Sequence, residues 1–360
     1  IDLYEQACKH VTREQMREYN ISGRKIRMDS TLIGSNIAHY SRYRIVHSTL
    51  VKAVKMPGGE VSAQFSDSVA SHLKPLLEEN AEHTCYELNG ADMRARFLQL
   101  GLLVRQVLTE AKAAGLAGFE LLERVFGEQY RINAETGGLE AIPSKEISAR
   151  SVQNPNDPEA TYRNKNGEDV RGYTHNATET CDDEDKATTA RGKVIQKPKL
   201  IVDVAVEPAS TPDTQLFEGG VKGSEDVTGQ KPESVTSDGG YQSAGNQGFA
   251  DSEGIEAVFT GFQGRKGAYD LELSPDGKSL GATKTATGEK LPTSMTKGGS
   301  WRIEDTKDGK KHVRYVKPES VAAAVRRKAQ EAIPKAKRWL RNNVEAAMFQ
   351  LTFHTRNNKT

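Results

Sequence analysis

The chain has 360 residues, 36% apolar and 28% charged, with a net charge of +1 and a mean hydropathy of −0.65. That length can bury a full core, or two domains' worth. No apolar run approaches the roughly 20 residues of a membrane span, so no membrane partner is expected, and the bulk charge gives no sign of nucleic acid.

The distribution of charge says more. Acids gather in loops such as Asp182–Asp185, while residues 301–360 carry fifteen Lys and Arg against six Asp and Glu. Cys8, Cys85 and Cys181 lie far apart with no CxxC pair, which fits neither a disulfide framework nor a zinc motif. They read as reduced thiols of a cytoplasmic protein. The histidines form no HExxH pair. The chain begins at Ile1 within a helical pattern and ends at Thr360 in mid-pattern, so it reads as a fragment.

Leu3, Tyr4, Ala7 and Val11 recur at helical spacing and predict a packing helix over Ile1–Tyr19. In Lys25–Ala38, KIRMDSTLIGSNIA, Ile26 and Met28 alternate with Lys25 and Arg27, the period of a half-buried strand. Asp29 falls at the expected end of that strand, on the face opposite Ile26 and Met28. An acid there either caps a turn or serves as a rigidly held metal ligand. In HYSRYRIVH, Arg42 and Arg44 interleave with Tyr40 and Tyr43. That pattern suits a grip on a nucleic-acid backbone, and equally a solvated helix face.

A turn is expected at Met56–Gly59. Helical patterns follow at Val69–Glu79, Asp92–Ala114 and Ala117–Tyr130, the second with a stripe of Met93, Phe97, Leu100, Val104, Val107 and Leu108. This block, residues 50–146 with its linker, reads as a helical insertion after an N-terminal segment 1–49. Asp157 precedes Pro158 in a turn. Tyr173–Glu179 and the nearly continuous apolar run Lys199–Val206 read as an antiparallel pair, the latter buried on both faces. Asp213 starts a helix.

In Lys231–Asn246, KPESVTSDGGYQSAGN, a short strand ends at Asp238, glycines turn the chain and Ser243 caps a helix. Open α/β sheets put their sites at such strand ends. Ile255–Thr260 is another strand and completes a core over 147–260. Residues 261–317 turn polar and turn-rich and read as a β-rich insertion. Residues 318–360 are helical, broken near Pro334, with a core stripe of Leu340, Val344, Ala347, Met348 and Leu351. Glu345 lies just beside that stripe and shares a face with Arg341 and Arg338.

Taken together, Asp29 in MDSTLIGSN, Asp238 in DGGY and Glu345 in Arg341-Asn342-Asn343-Val344-Glu345 resemble the three catalytic acids of bacterial insertion-sequence DDE transposases. The branch is the one with a Tyr-Arg-Glu-Lys signature. The resemblance covers almost the whole chain in order. It departs at two signature positions, where Arg338 stands for Tyr and Thr352 for Lys. It implies a ribonuclease-H-like α/β fold, a mixed sheet flanked by helices and carrying the two insertions. It also implies two Mg²⁺ or Mn²⁺ ions held by Asp29, Asp238 and Glu345, with Asp157 and Tyr241 close behind them. The expected substrate is double-stranded DNA, held by Arg338, Arg341, Arg42 and Arg44 of a homodimer on the bacterial nucleoid. Two alternatives remain open: an inactive DNA-binding remnant of a mobile element, and a nuclease of the same fold without strand transfer.

Overall fold

The computed structural model describes residues 2–55, 65–165, 167–182, 186–188, 192–260, 267–307 and 309–340. Helix α1 (Asp2–Glu18) leads into strand β1 (Lys25–Gly34). Five helices follow, α2 (Arg42–Val54), α3 (Asp67–Glu78), α4 (Ala81–Glu87), α5 (Gly90–Ala113) and α6 (Glu120–Gln129). Strands β2 (Tyr130–Ile132), β3 (Leu139–Ala141), β4 (Thr161–Lys165), β5 (Glu168–Thr180), β6 (Lys186–Thr188), β7 (Val194–Gln196) and β8 (Ile201–Pro208) come next. Then come α7 (Phe217–Thr228), β9 (Ser234–Asp238), α8 (Ala244–Glu253) and β10 (Glu256–Thr260). Six short strands, β11 (Tyr269–Leu273), β12 (Leu280–Lys284), β13 (Lys290–Leu291), β14 (Thr293–Met295), β15 (Trp301–Lys307) and β16 (Lys310–Val316), precede α9 (Pro318–Glu331) and α10 (Lys335–Trp339). Among the described residues no helix is long and apolar enough to cross a membrane.

The chain divides into two compact units: Ile1–Thr31, Asn176–Ala205 and Pro212–Thr355 form the first, Leu32–His175, Val206–Thr211 and Arg356–Thr360 the second. In the first unit the strand order is β10-β9-β1-β5, with β8 also paired to β5. β9 is parallel to both neighbours, β1 and β10. Ile26, Met28, Val235 and Phe259 point to one face, where α7 and α8 cover them with Phe217, Val221 and Ala250. Gln330 of α9 closes the outer edge of β10: its side chain accepts from Phe259 N at 2.9 Å and donates to Ala257 O at 3.0 Å. A side-chain amide thus replaces a missing strand, which protects an edge that would otherwise recruit other chains. Within the same unit, β11-β12-β13 and β14-β15-β16 form two antiparallel sheets over a core of Leu271, Leu280, Trp301, Ile303 and Val321. The described part of the 261–317 stretch is therefore β-rich and adds no strand to the central sheet; residues 261–266 and 308 lie outside the described residues.

The second unit holds the helices α2 to α6 around Val46, Leu50, Leu73, Val104, Val107 and Leu122. The helical block begins at Arg42 and not at Leu50, so the expected 49/50 boundary falls inside α2. Ser41 supplies the start signal, its Oγ accepting from Arg44 N at 3.2 Å. The linker after α6 contains the small β2–β3 pair, and β4 is antiparallel to β5. The turn expected at Met56–Gly59 lies outside the described residues. Gly172 lets β5 approach β1: a Cβ there would stand 2.2 Å from Ile33 O and 2.5 Å from Ser35 N.

Three local expectations need correction. β1 does not end at Asp29 but runs on to Gly34, because Thr31, Leu32 and Ile33 keep favouring extended backbone. β5 starts at Glu168, five residues before the expected strand, and pairs antiparallel with β4 from Lys165 opposite Glu168. β8 is not buried on both faces, since Ile201, Val204 and Val206 are exposed. The antiparallel pairing of β5 and β8 stands: Thr180 N donates to Leu200 O, and Ala209 N to Gly172 O. The connection carries the extra β6–β7 hairpin.

Candidate functional site

Parallel pairing brings the first two acids together. The β1–β9 register runs Ile26 to Val235, Arg27 to Thr236 and Met28 to Ser237. One residue further along both strands stand Asp29 and Asp238, and Thr260 pairs with Asp238 from the other side. Neighbouring strands lie about 4.8 Å apart, so the two residues follow side by side on adjacent strands. Since successive side chains alternate faces, Arg27, Asp29 and Asp238 all lie opposite the Met28 core. Asp29 is nearly buried, at 8% exposure. Each acid also holds local backbone: Asp29 Oδ1 accepts from Ser30 N at 2.9 Å, and Asp238 Oδ1 from Gly240 N at 3.1 Å. Asp238 thus caps its own turn.

Beneath the acids, on the core side, Tyr241 is fully buried and donates to Asn176 Oδ1 at 2.5 Å. Burial pushes its phenol well above the usual range, and the negative charge of Asp29, with that of Asp213 and Asp238, pushes the same way. The tyrosine stays protonated and works as a rigid support. Asp213 stands nearby: a Cβ on Gly240 would lie 2.9 Å from its Oδ2. A third aspartate therefore stands beside the Asp238 turn.

On the acid face, Arg27 is an unexpected charge. It is 2% exposed, and its Nε and Nη2 both donate to Glu179 Oε1 on β5. Burial raises the Glu179 carboxyl despite the guanidinium beside it. The remaining Nη1 donates to Leu340 O at 2.7 Å. That bond fixes the end of α10 on the face that carries Asp29. No sequence motif announced the pair, because Arg27 reads as the solvated member of a strand alternation.

Of the other candidate residues, Asp157, Arg42 and Arg44 belong to the second unit and Arg338 to α10. Asp157 accepts from Ser35 Oγ and from Tyr173 OH within the second unit, so it ties down loop and strand there. Arg42 reaches Gln129 Oε1 at 2.7 Å and Gln129 O at 3.1 Å and lies over Phe97, 5.0 Å from the ring centre. Arg44 pairs with Glu82 at 2.9 Å and lies over Tyr40 at 3.9 Å. Both guanidinium groups are engaged inside the helical bundle. Arg338 is half-buried on α10, with a buried Nε that has no hydrogen-bond partner among the described residues. Arg341, Glu345 and Thr352 lie outside the described residues. Among the described residues no three His, Cys, Asp or Glu side chains form a group able to hold a metal ion. Comparisons with protein-family models, with curated proteins and with solved structures return no match.

Proposed function

We propose that the chain is a DNA transposase of the DDE type, with a ribonuclease-H-like core, that cuts element ends and joins them to target DNA. The observation that carries this reading is the side-by-side position of Asp29 and Asp238 on neighbouring parallel strands. Two hard oxygen donors held by a rigid sheet suit Mg²⁺ or Mn²⁺, whereas a softer metal would want thiolate or imidazole. When bound, such ions would supply the positive charge that activates a water or a DNA 3′-hydroxyl and stabilises the leaving oxygen. The chain's own part is to orient. β1 and β9 hold the carboxylates, Tyr241 supports them from below, and Arg27 ties α10 to the same face.

The third acid of the reading is Glu345, five residues after Leu340, whose carbonyl meets Arg27. The substrate is double-stranded DNA, and two copies of the chain hold two element ends.

The test is an in-vitro reaction with paired element ends, a target plasmid and Mg²⁺. Asp29→Asn and Asp238→Asn each abolish both cleavage and joining while leaving the circular-dichroism spectrum unchanged. Cleavage without joining would make the protein a nuclease. DNA binding without either reaction by the native chain would make it an inactive remnant.

A further inference from the structure

We propose that Arg27 is a positioning residue for the reaction: its buried pair with Glu179 docks the end of α10 on the face of the sheet that carries Asp29 and Asp238. The proposal deepens the reading of that face as the catalytic one and rests on it for the effect on rate. α10 is five residues long. A helix of that length has little stability of its own, so what it touches decides where it lies. Lys337 pairs with Glu256 of β10 at 2.6 Å, but both side chains are half exposed and such a pair contributes little. Arg27 makes a buried hold. Its Nη1 donates to Leu340 O at 2.7 Å, and Leu340 is the residue that ends α10. That carbonyl is one of those a helix end leaves without an internal partner.

The guanidinium is fixed before it meets the helix. Nε and Nη2 both donate to Glu179 Oε1, and both side chains are buried. For stability alone the pair is a poor choice. Desolvating two charges costs about as much as their attraction returns, and a well-packed apolar pair of the same size serves as well or better. What an apolar pair lacks is a third nitrogen aimed at α10. A planar fork locked on a carboxylate presents its remaining nitrogen in a fixed direction. A lysine ammonium, a single head, cannot hold both partners in that geometry. The β1–β9 register sets Arg27 opposite Thr236, each two residues before the acid of its strand. Arg27 therefore stands roughly 7 Å along β1 from Asp29.

The experiment follows amide hydrogen exchange by mass spectrometry in the full chain, beside Mg²⁺-dependent cleavage. Arg27→Met with Glu179→Met removes the dock and leaves no buried charge alone. Exchange of residues 335–340 should quicken about tenfold, for the loss of one hydrogen bond from a charged donor. Cleavage should slow at least about tenfold through misplacement. Exchange of residues 234–238 should stay as in the native chain, which a general loss of stability would not allow. Arg27→Lys keeps an ion pair with Glu179 and should show the same two effects, so the test stands even where the double variant does not fold. Arg24→Gln with Glu233→Gln removes an exposed pair, 2.9 Å long, just before the same strand and should change neither readout. Unchanged exchange at 335–340 in the folded variants overturns the proposal. So does equal quickening at 234–238, and so does quickened exchange with cleavage at the native rate. Quickened exchange confined to 335–340, in a chain whose native form shows no Mg²⁺-dependent cleavage, would keep the dock and remove the transposase reading.

Discussion

Arg27 carries a charge into the sheet two residues before Asp29, and the protein accommodates it by giving every side of the guanidinium a partner. Removing one member of a buried pair leaves the other uncompensated, at a cost of about 3–5 kcal/mol. Arg27→Met should therefore lower unfolding stability in urea by that order. Arg27→Met with Glu179→Met should recover most of it, and a double variant as unstable as the single would show that the pair is not the source. Asp203 offers a second test at this scale. Half-buried on β8 against α7, its carboxyl is raised to about 6 by burial alone. A folded value above the unfolded one means that the folded state holds the proton more tightly. Ionisation therefore removes stability as pH climbs from about 4 to about 6, and the loss is constant above that. Asp203→Asn should then stabilise by about 1 kcal/mol near pH 8, after allowance for solvent around a partly exposed group, and hardly at all near pH 4. Melting curves at both pH values check this, and an equal gain at both would rule out the titration.

At the scale of elements, sequence pattern and backbone approach did different work. The stripe of Phe97, Leu100, Val104 and Val107 was sufficient to define α5, because one buried face repeats every three or four residues. The alternating aromatics and arginines of residues 39–47 left two readings open, and the structure puts them on a helix whose Tyr43 is core and whose Arg42 is bonded to Gln129. Glycine positions carry information that periodicity does not. The missing side chain of Gly172 is what lets β5 and β1 pair at that point, since the atoms a Cβ would meet are backbone and cannot swing away. Gly172→Ala should cost about 3 kcal/mol, at the upper end of overpacking penalties. A change in midpoint of urea unfolding below about a third of that would mean the strands can shift apart freely.

For the molecule as a whole, the reading depends on three acids from distant parts of the chain acting at one place. The first two are neighbours through the β1–β9 ladder. Arg27 holds the carbonyl of Leu340, and Glu345, the third acid of the proposal, lies outside the described residues. Glu345→Gln should abolish cleavage and leave duplex affinity within about twofold of native, since a ligand charge is lost without a phosphate contact. Arg341→Ala should do the reverse, flattening the salt slope by about one unit. Normal cleavage by Glu345→Gln would send the search for the third acid to Asp213, which already stands against Gly240 beside Asp238.

By itself the sequence determined the kinds of element and the two motif strands. Alternation marked β1, the Asp-Gly-Gly turn marked the end of β9, and helical stripes marked the bundle, because those signals reside in a few consecutive residues. It also separated the helical and β-rich blocks from the sheet, through changes in period and turn density. Tertiary structure alone decided which strands are neighbours, and so made Asp29 and Asp238 adjacent across some two hundred residues of chain. It buried Arg27 against Glu179, engaged Arg42 and Arg44 within the bundle, and left β16 as an exposed basic edge. Pairing, burial and edge position depend on what lies opposite a residue in space, and no local spacing encodes that.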